Sequence, residues 1–248
     1  MITLAAVAHP DDIEFMMAGT LLRLRDAGCE IHLWNLANGS CGSATLPPAE
    51  IASIRLAEAR AAAQVAEGRA HPPLFEDLGI FYDKPSLEQV AAVVRKIQPD
   101  IVLTHSPEDY MEDHQNTARL VVSAAFSRAM TNFPVRGGVP IYEKPVAVYH
   151  ALPHGLKGPL RETLHADFFV DIAPVLPRKR AMLACHASQK EWLDRTQGMD
   201  AYLEEMERMS REVGRLSGQY EFAEGWRRHS HLGFGPEDFD PIFDLLHL

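Results

Sequence analysis

The chain has 248 residues, 46% hydrophobic and 23% charged, with a formal net charge of −10 when the histidines are neutral. This length supports one large α/β domain, alone or with an appended subregion, and the negative balance argues against a nucleic-acid partner and an anionic membrane surface. Cys29, Cys41 and Cys185 are odd in number and scattered, which excludes a disulfide framework and fits a reducing cytoplasm.

Ile2 to Ala8 form an apolar run that is cut off by Pro10 and followed by a helical pattern. It reads as a buried strand feeding a helix through a short turn. The run has no basic flank and continues directly into His9-Pro10-Asp11-Asp12, so it is a strand and not a signal peptide. Nowhere do ~18 consecutive apolar residues mark a transmembrane helix. Polar chemistry at a strand's C-terminal end lies where open α/β sheets bind ligands. His9 and Asp12 offer an imidazole nitrogen and a carboxylate oxygen, both metal ligands that a turn can bring to one point. Asp11 lies between them, a carboxylate able to take a proton from a water that a metal activates. The alternative makes Pro10 the first helical residue and lets both aspartates complement the helix dipole.

A helix is expected from about Ile13 to Ala27, with Phe15, Met16, Leu21, Leu22 and Leu24 toward the sheet and Gly28 ending it. Ile31 to Leu36 then closes a right-handed βαβ unit. The Gly/Ser/Pro-rich loop from Ala37 to Pro48 leaves the same edge and could border a pocket; it matches no phosphate-binding loop, and its Cys41 is either incidental or a reactive thiol. Glu50 to Glu67 is Ala-rich and predicts a helix, on which Arg55 belongs to a solvated salt-bridge face or contacts substrate. Leu74 to Leu78 reads as the third strand, and Leu87 to Gln98 as a helix burying Leu87, Val90, Val94 and Ile97.

Ile101 to Leu103 is a fourth strand that breaks into a polar loop holding His105, Asp109, Asp113 and His114, with Asp113 as N-cap of a helix reaching about Met130. If this strand neighbours the first across a reversal in strand order, His9, Asp12 and His114 converge on one crevice. Two histidines and one carboxylate leave room for water, as a catalytic zinc requires. Asn132 to Pro145 reads as an irregular excursion near the active edge, a natural specificity element. Val146 to Leu152 and Phe168 to Ile172 are the fifth and sixth strands, and helices follow over Lys179 to Trp192 and Asp200 to Leu216. Met199, Met206 and Met209 read as packing. His229 and His231 would share a face of any strand there, and Phe239, Ile242, Phe243, Leu245 and Leu246 are apolar enough to dock on the body or on another subunit.

Ala8-His9-Pro10-Asp11-Asp12 and Asp109-Tyr110-Met111-Glu112-Asp113-His114 together resemble, in place and spacing, the two motifs of the PIG-L/LmbE family of zinc-dependent N-deacetylases. The resemblance implies a Rossmann-like three-layer αβα fold with a mostly parallel sheet and a C-terminal helical or irregular extension. One domain would span residues 1–248, its core about 1–172 and its extension about 173–248. It also implies Zn2+ or another divalent metal on His9, Asp12 and His114, Asp11 as general base, and a small N-acetylated, N-acetylglucosamine-like substrate. A cytoplasmic homo-oligomer is the corresponding expectation. Arg55 falls where many members carry an arginine near the substrate, and His186-Ala187-Ser188-Gln189 is similar to a stretch that follows the sheet in members.

One departure bears on chemistry. The family's second motif usually reads His-Pro-Asp-His, and its first histidine is held to stabilise the oxyanion or protonate the leaving amine; here Met111 and Glu112 stand in those first two places. A thioether donates no proton. His105, Tyr110, His150 and His186 are candidate substitutes, and Asp113 lies beside the ligand set. Without a substitute, the implied alternative is a ligand-binding protein of this fold with weak or no deacetylase activity. Two histidines and a carboxylate also match a non-haem iron site.

Overall fold

A computed structural model describes residues 1–189 and 202–248. Strands β1 (Ile2–Val7), β2 (Glu30–Asn35), β3 (Arg69–His71), β4 (Ile101–Thr104) and β5 (Ala147–Ala151) pair in parallel. Beyond them β7 (Ala223–Arg228) pairs antiparallel with β5 on one side and with β6 (Phe168–Asp171) on the other, giving the sheet order β3-β2-β1-β4-β5-β7-β6. The architecture is the expected mostly parallel α/β sheet between two helical layers.

The layers follow from the two-residue period of a strand. Along β1, Leu4 and Ala6 enter the core that also holds Val90, Val94, Leu120 and Val121, from α4 (Lys84–Ile97) and α5 (Glu112–Phe126). Ala5 and Val7 point to the other face. There they meet Ile13 of α1 (Asp12–Met16), Leu21 and Leu24 of α2 (Ala18–Asp26), Ala62 of α3 (Pro48–Val65), Met182 of α6 (Leu176–Ala184) and Met206 of α7 (Tyr202–Ser217). A strand covered on both faces needs an uninterrupted apolar run, which Ile2 to Ala8 provides.

Several local expectations are corrected. The single helix from Ile13 to Ala27 is two, broken at Met17, whose φ of −145° is non-helical. The cause lies far away in sequence: the Glu224 carboxylate accepts the amides of Gly19 at 2.8 Å and Thr20 at 2.7 Å, so a fresh helix N-terminus is satisfied there. Lys179, fully buried, donates to Glu224 at 2.7 Å and to the Phe15 carbonyl at 3.0 Å, locking the junction. The expected strand Leu74 to Leu78 is reduced to a single bridge between Ala37 and Phe75, and β3 pairs upstream instead. Pro72 and Pro73 have no amide hydrogen to extend the ladder.

The excursion Asn132 to Pro145 leaves the C-terminal end of α5, hence the sheet edge opposite the strand C-termini; its Arg136–Gly138 turn packs on α4, away from the site. The strand β7 ends at Arg228 before the two tail histidines, and His229 pairs with His150, not His231. At the C-terminus Ile242 and Leu246 of α8 (Pro241–Leu246) dock into the body's own core. The expected helix to Trp192 runs out of the described residues after Ala184 and a helical turn at 187–189, and Met199 lies outside them; Met206 and Met209 are buried. No helix among the described residues is long and apolar enough to cross a membrane.

Candidate metal and active site

β1 pairs with β2 on one side and β4 on the other, so the strand order reverses beside its C-terminal end. His9 and Asp12 emerge there. His105 follows β4 directly, and the first turn of α5 returns Asp113 and His114 to the same point. The structure thus brings His9, Asp12 and His114 together, with one potential ligand atom of each within 4.8 Å of the others.

The donor set fits a divalent metal. His114 Nε2 and His9 Nδ1 stand 3.4 Å and 3.6 Å from the two oxygens of Asp12; a tetrahedral zinc with bonds of ~2.0–2.1 Å separates its ligand atoms by about 3.3–3.4 Å. His114 Nε2 is buried with no hydrogen-bond partner, an arrangement costly for a polar atom unless something binds it. The opposite ring nitrogens are both held by carboxylates. His114 Nδ1 donates to Asp109 at 3.0 Å, and His9 Nε2 donates to Asp113 at 3.1 Å. Such bonds fix the tautomer and raise the basicity of a ligand histidine. Burial opposes a charge on His9, but Asp113 and Asp12 outweigh it and push the imidazole up to about 10. For Asp12 burial is likewise outweighed, and His114 and His105 hold its carboxyl well below the usual range.

Asp113 is therefore not the helix N-cap. Met111 occupies that position without a side-chain bond, and the Asp113 carboxylate also accepts the Leu78 amide at 2.7 Å. Asp77 next to it accepts the amides of Gly39 at 2.7 Å and Cys41 at 2.9 Å, pinning the loop after β2 to the site. That loop lies on Arg55: a Cβ at Gly39 would sit 2.6 Å from its side chain, and Gly39 has φ +75°. Arg55 is buried and donates to the Pro10 carbonyl at 2.6 Å, with Asp11 3.6 Å away. It is no solvated face.

Asp11 turns away from the ligand cluster. Its Oδ2 accepts the Tyr202 hydroxyl at 2.6 Å. Burial raises its pKa, Arg55 counters this, and the neighbouring Asp12 charge adds to the rise. Asp11, Asp12, Arg55, Tyr110, His154 and Tyr202 are among the walls of an open cavity of about 570 Å³ over His9 and His114. Tyr110 is half-exposed there, its ring edge against His114 at 5.5 Å.

The remaining candidates lie behind the cavity. His105 is stacked on His114 at 4.0 Å between ring centres, and its Nε2 accepts the Ala8 amide at 2.8 Å, so that nitrogen donates nothing to substrate. His150 donates to the His105 carbonyl at 2.7 Å and lines no part of the cavity. His186 is buried against Glu14, 3.4 Å away. Sequence reasoning missed Tyr202 and His154 and gave Asp109 no role. Asp109 is the only one with a local signal, an acid five residues before a ligand-type histidine in one loop.

Residues 4–125 match the PIG-L family model, described as GlcNAc-PI de-N-acetylase. Over these residues the chain is similar to the PIG-L family. A diacetylchitobiose deacetylase of Thermococcus kodakarensis is 27% identical over 191 residues, 73% of this chain and 67% of that relative. A 4-oxalmesaconate hydratase of Pseudomonas putida is 28% identical over 198 residues, 75% of this chain and 73% of the relative. Among solved structures, the N,N′-diacetylchitobiose deacetylase from Pyrococcus horikoshii superposes with a TM-score of 0.77 at 22% identity, covering 96% of this chain and 87% of that one. The 4-carboxy-2-hydroxymuconate hydratase from Pseudomonas putida KT2440 gives 0.73 at 26%, covering 92% and 96%. Proteins similar to this chain are thus named both as deacetylases and as hydratases.

Proposed function

We propose that this protein is a metal-dependent amidohydrolase that removes an N-acetyl group from a small sugar-containing substrate. The observation that carries the reading is the division of labour between adjacent carboxylates: Asp12 faces the two histidines, while Asp11 faces the cavity without joining them. His9, Asp12 and His114 would hold the metal, which when bound supplies a Lewis acid that polarises the acyl carbonyl and makes water acidic near neutral pH.

The chain's own groups do the rest. Asp11 takes the proton of the attacking water on Oδ1, since Oδ2 already accepts from Tyr202. Asp11 then passes that proton to the leaving amine, which departs as acetate is released. Met111 offers no donor, but Tyr110 does: burial raises its pKa, with Asp12 and Asp109 adding to the effect, so its hydroxyl stays protonated and can donate to the developing oxyanion. Phe15 and Tyr110 supply aromatic surface for a sugar ring.

Acetate release from N-acetylglucosamine and N,N′-diacetylchitobiose by the zinc-loaded protein tests the reading. Zinc should bind at about one ion per chain and be lost in His114→Ala, and Asp11→Asn should lower acetate release roughly 10²–10⁴-fold. Metal uptake without acetate release across a panel of N-acetyl sugars would overturn it. The hydratase relative at 28% identity supports a second reading, addition of water to an unsaturated carboxylate by the same base; absorbance loss of such a substrate without acetate would select it.

A further inference from the structure

Asp11 and Asp12 are neighbours at one ligand cluster, and either carboxylate has the chemistry of a ligand. The backbone begins to separate them. Asp11 lies in the left-handed region at φ 97° and ψ −21°, uncommon outside glycine, and it does not join Asp12 in the group that converges with His9 and His114. Asp12 Oδ2 accepts the His9 amide at 2.7 Å, which holds that carboxylate facing the rings. One side chain then fixes Asp11 where it is. Tyr202 is only 1% exposed, packed edge-on against Phe15 at 5.1 Å between ring centres, and its hydroxyl donates to Asp11 Oδ2 at 2.6 Å. The Arg55 guanidinium donates to the Pro10 carbonyl and stands 3.6 Å from Asp11 Oδ1, beyond hydrogen-bond distance.

We propose that Tyr202 is a positioning residue whose hydroxyl holds Asp11 out of the ligand cluster, so that Asp12 serves as ligand and Asp11 stays available as base. A buried phenol needs one acceptor, and any backbone carbonyl would satisfy it. This one is spent on the non-ligand carboxylate of the site. The hydroxyl arrives from α7, 191 residues from Asp11 in sequence. A second carboxylate on a two-histidine, one-carboxylate set would fill a position that substrate or water needs. The inference rests on the metal-dependent reading above.

The test compares wild type, Tyr202→Phe, Asp11→Asn and the double variant, each loaded with Co2+, by visible absorption and steady-state acetate release. Tyr202→Phe should bind cobalt with a weaker visible band, as an added ligand takes the ion away from tetrahedral geometry. The double variant should regain the wild-type band, because an amide is a poorer ligand than a carboxylate. Where acetate release is measurable, Tyr202→Phe should lower kcat roughly tenfold or more with KM held within about twofold, the signature of a misplaced base. An unchanged band in folded Tyr202→Phe would overturn the inference alone, and so would a changed band in Asp11→Asn, which retains Tyr202. Failure of wild type to bind cobalt would overturn the metal reading together with it.

Discussion

The parallel half of the sheet and the C-terminal part of the chain build the same site by different routes. In the parallel half each contribution sits just past a strand: His9, Asp11 and Asp12 after β1, the Gly39–Gly42 turn after β2, and His105 through His114 after β4. Parallel βα units present all such loops at one edge, so the chemistry is local in sequence. The C-terminal part works at long range. Tyr202 and Lys179 lie in helices and Glu224 in an antiparallel strand, yet Tyr202 reaches Asp11 just before α1, Lys179 reaches Phe15 in α1, and Glu224 reaches the start of α2. One half gathers the candidate site residues, and the other braces the helices beside them.

The contrast is most exposed to breaking at the buried ion pair. Lys179→Met leaves the Glu224 carboxylate with two amides and no cation, and should cost about 3–5 kcal/mol in urea denaturation. A loss under about 1 kcal/mol would mean that the C-terminal clamp is dispensable to α1 and α2.

A smaller effect comes from acid. Burial drives the His150 pKa down to about 4, and His229, Arg227 and His105 add to this against the backbone bond to the His105 carbonyl. The unfolded chain, with an ordinary histidine near 6.5, binds more protons between these values. The stability from neutral His150 is therefore complete above about pH 6.5 and is lost as pH falls toward about 4, on the order of 3 kcal/mol. Melting curves from pH 7.5 to pH 4.5 should show a shallower acid slope in His150→Asn than in wild type; equal slopes would remove His150 from the account.

The smallest effect sharpens the comparison within the local half. Asp109→Asn keeps an acceptor for His114 Nδ1 but removes its charge, and should weaken metal affinity roughly 10–100-fold in chelator competition. An unchanged affinity would leave His114 oriented by stacking on His105 alone.

What was legible in the sequence follows the same division. The convergence of His9, Asp12 and His114 could be read because a strand, a short turn and a helix start leave little freedom, and the apolar runs of β1 and β4 announced buried parallel strands. The third strand was misplaced because Leu74, Phe75 and Leu78 suggest a short strand, while the prolines before them decide pairing. The strand β7 was missed because Ala-Glu-Gly-Trp-Arg-Arg has no alternating apolar pattern; its pairing is imposed by β5 and β6 on either side. His150 and His186 drew notice as histidines near the right edge, but burial behind the cavity wall is a property of packing that spacing does not encode.

By itself the sequence determined the alternation of strands and helices, the edge at which chemistry gathers, and which residue types meet there, since these depend on local periodicity and on short turns. Only the tertiary structure decided which of two adjacent aspartates faces the histidines, which carboxylates hold the far ring nitrogens, and that Tyr202 closes on Asp11. Those outcomes are set by side chains far apart in the chain whose meeting depends on a packed core, and no local pattern carries that information.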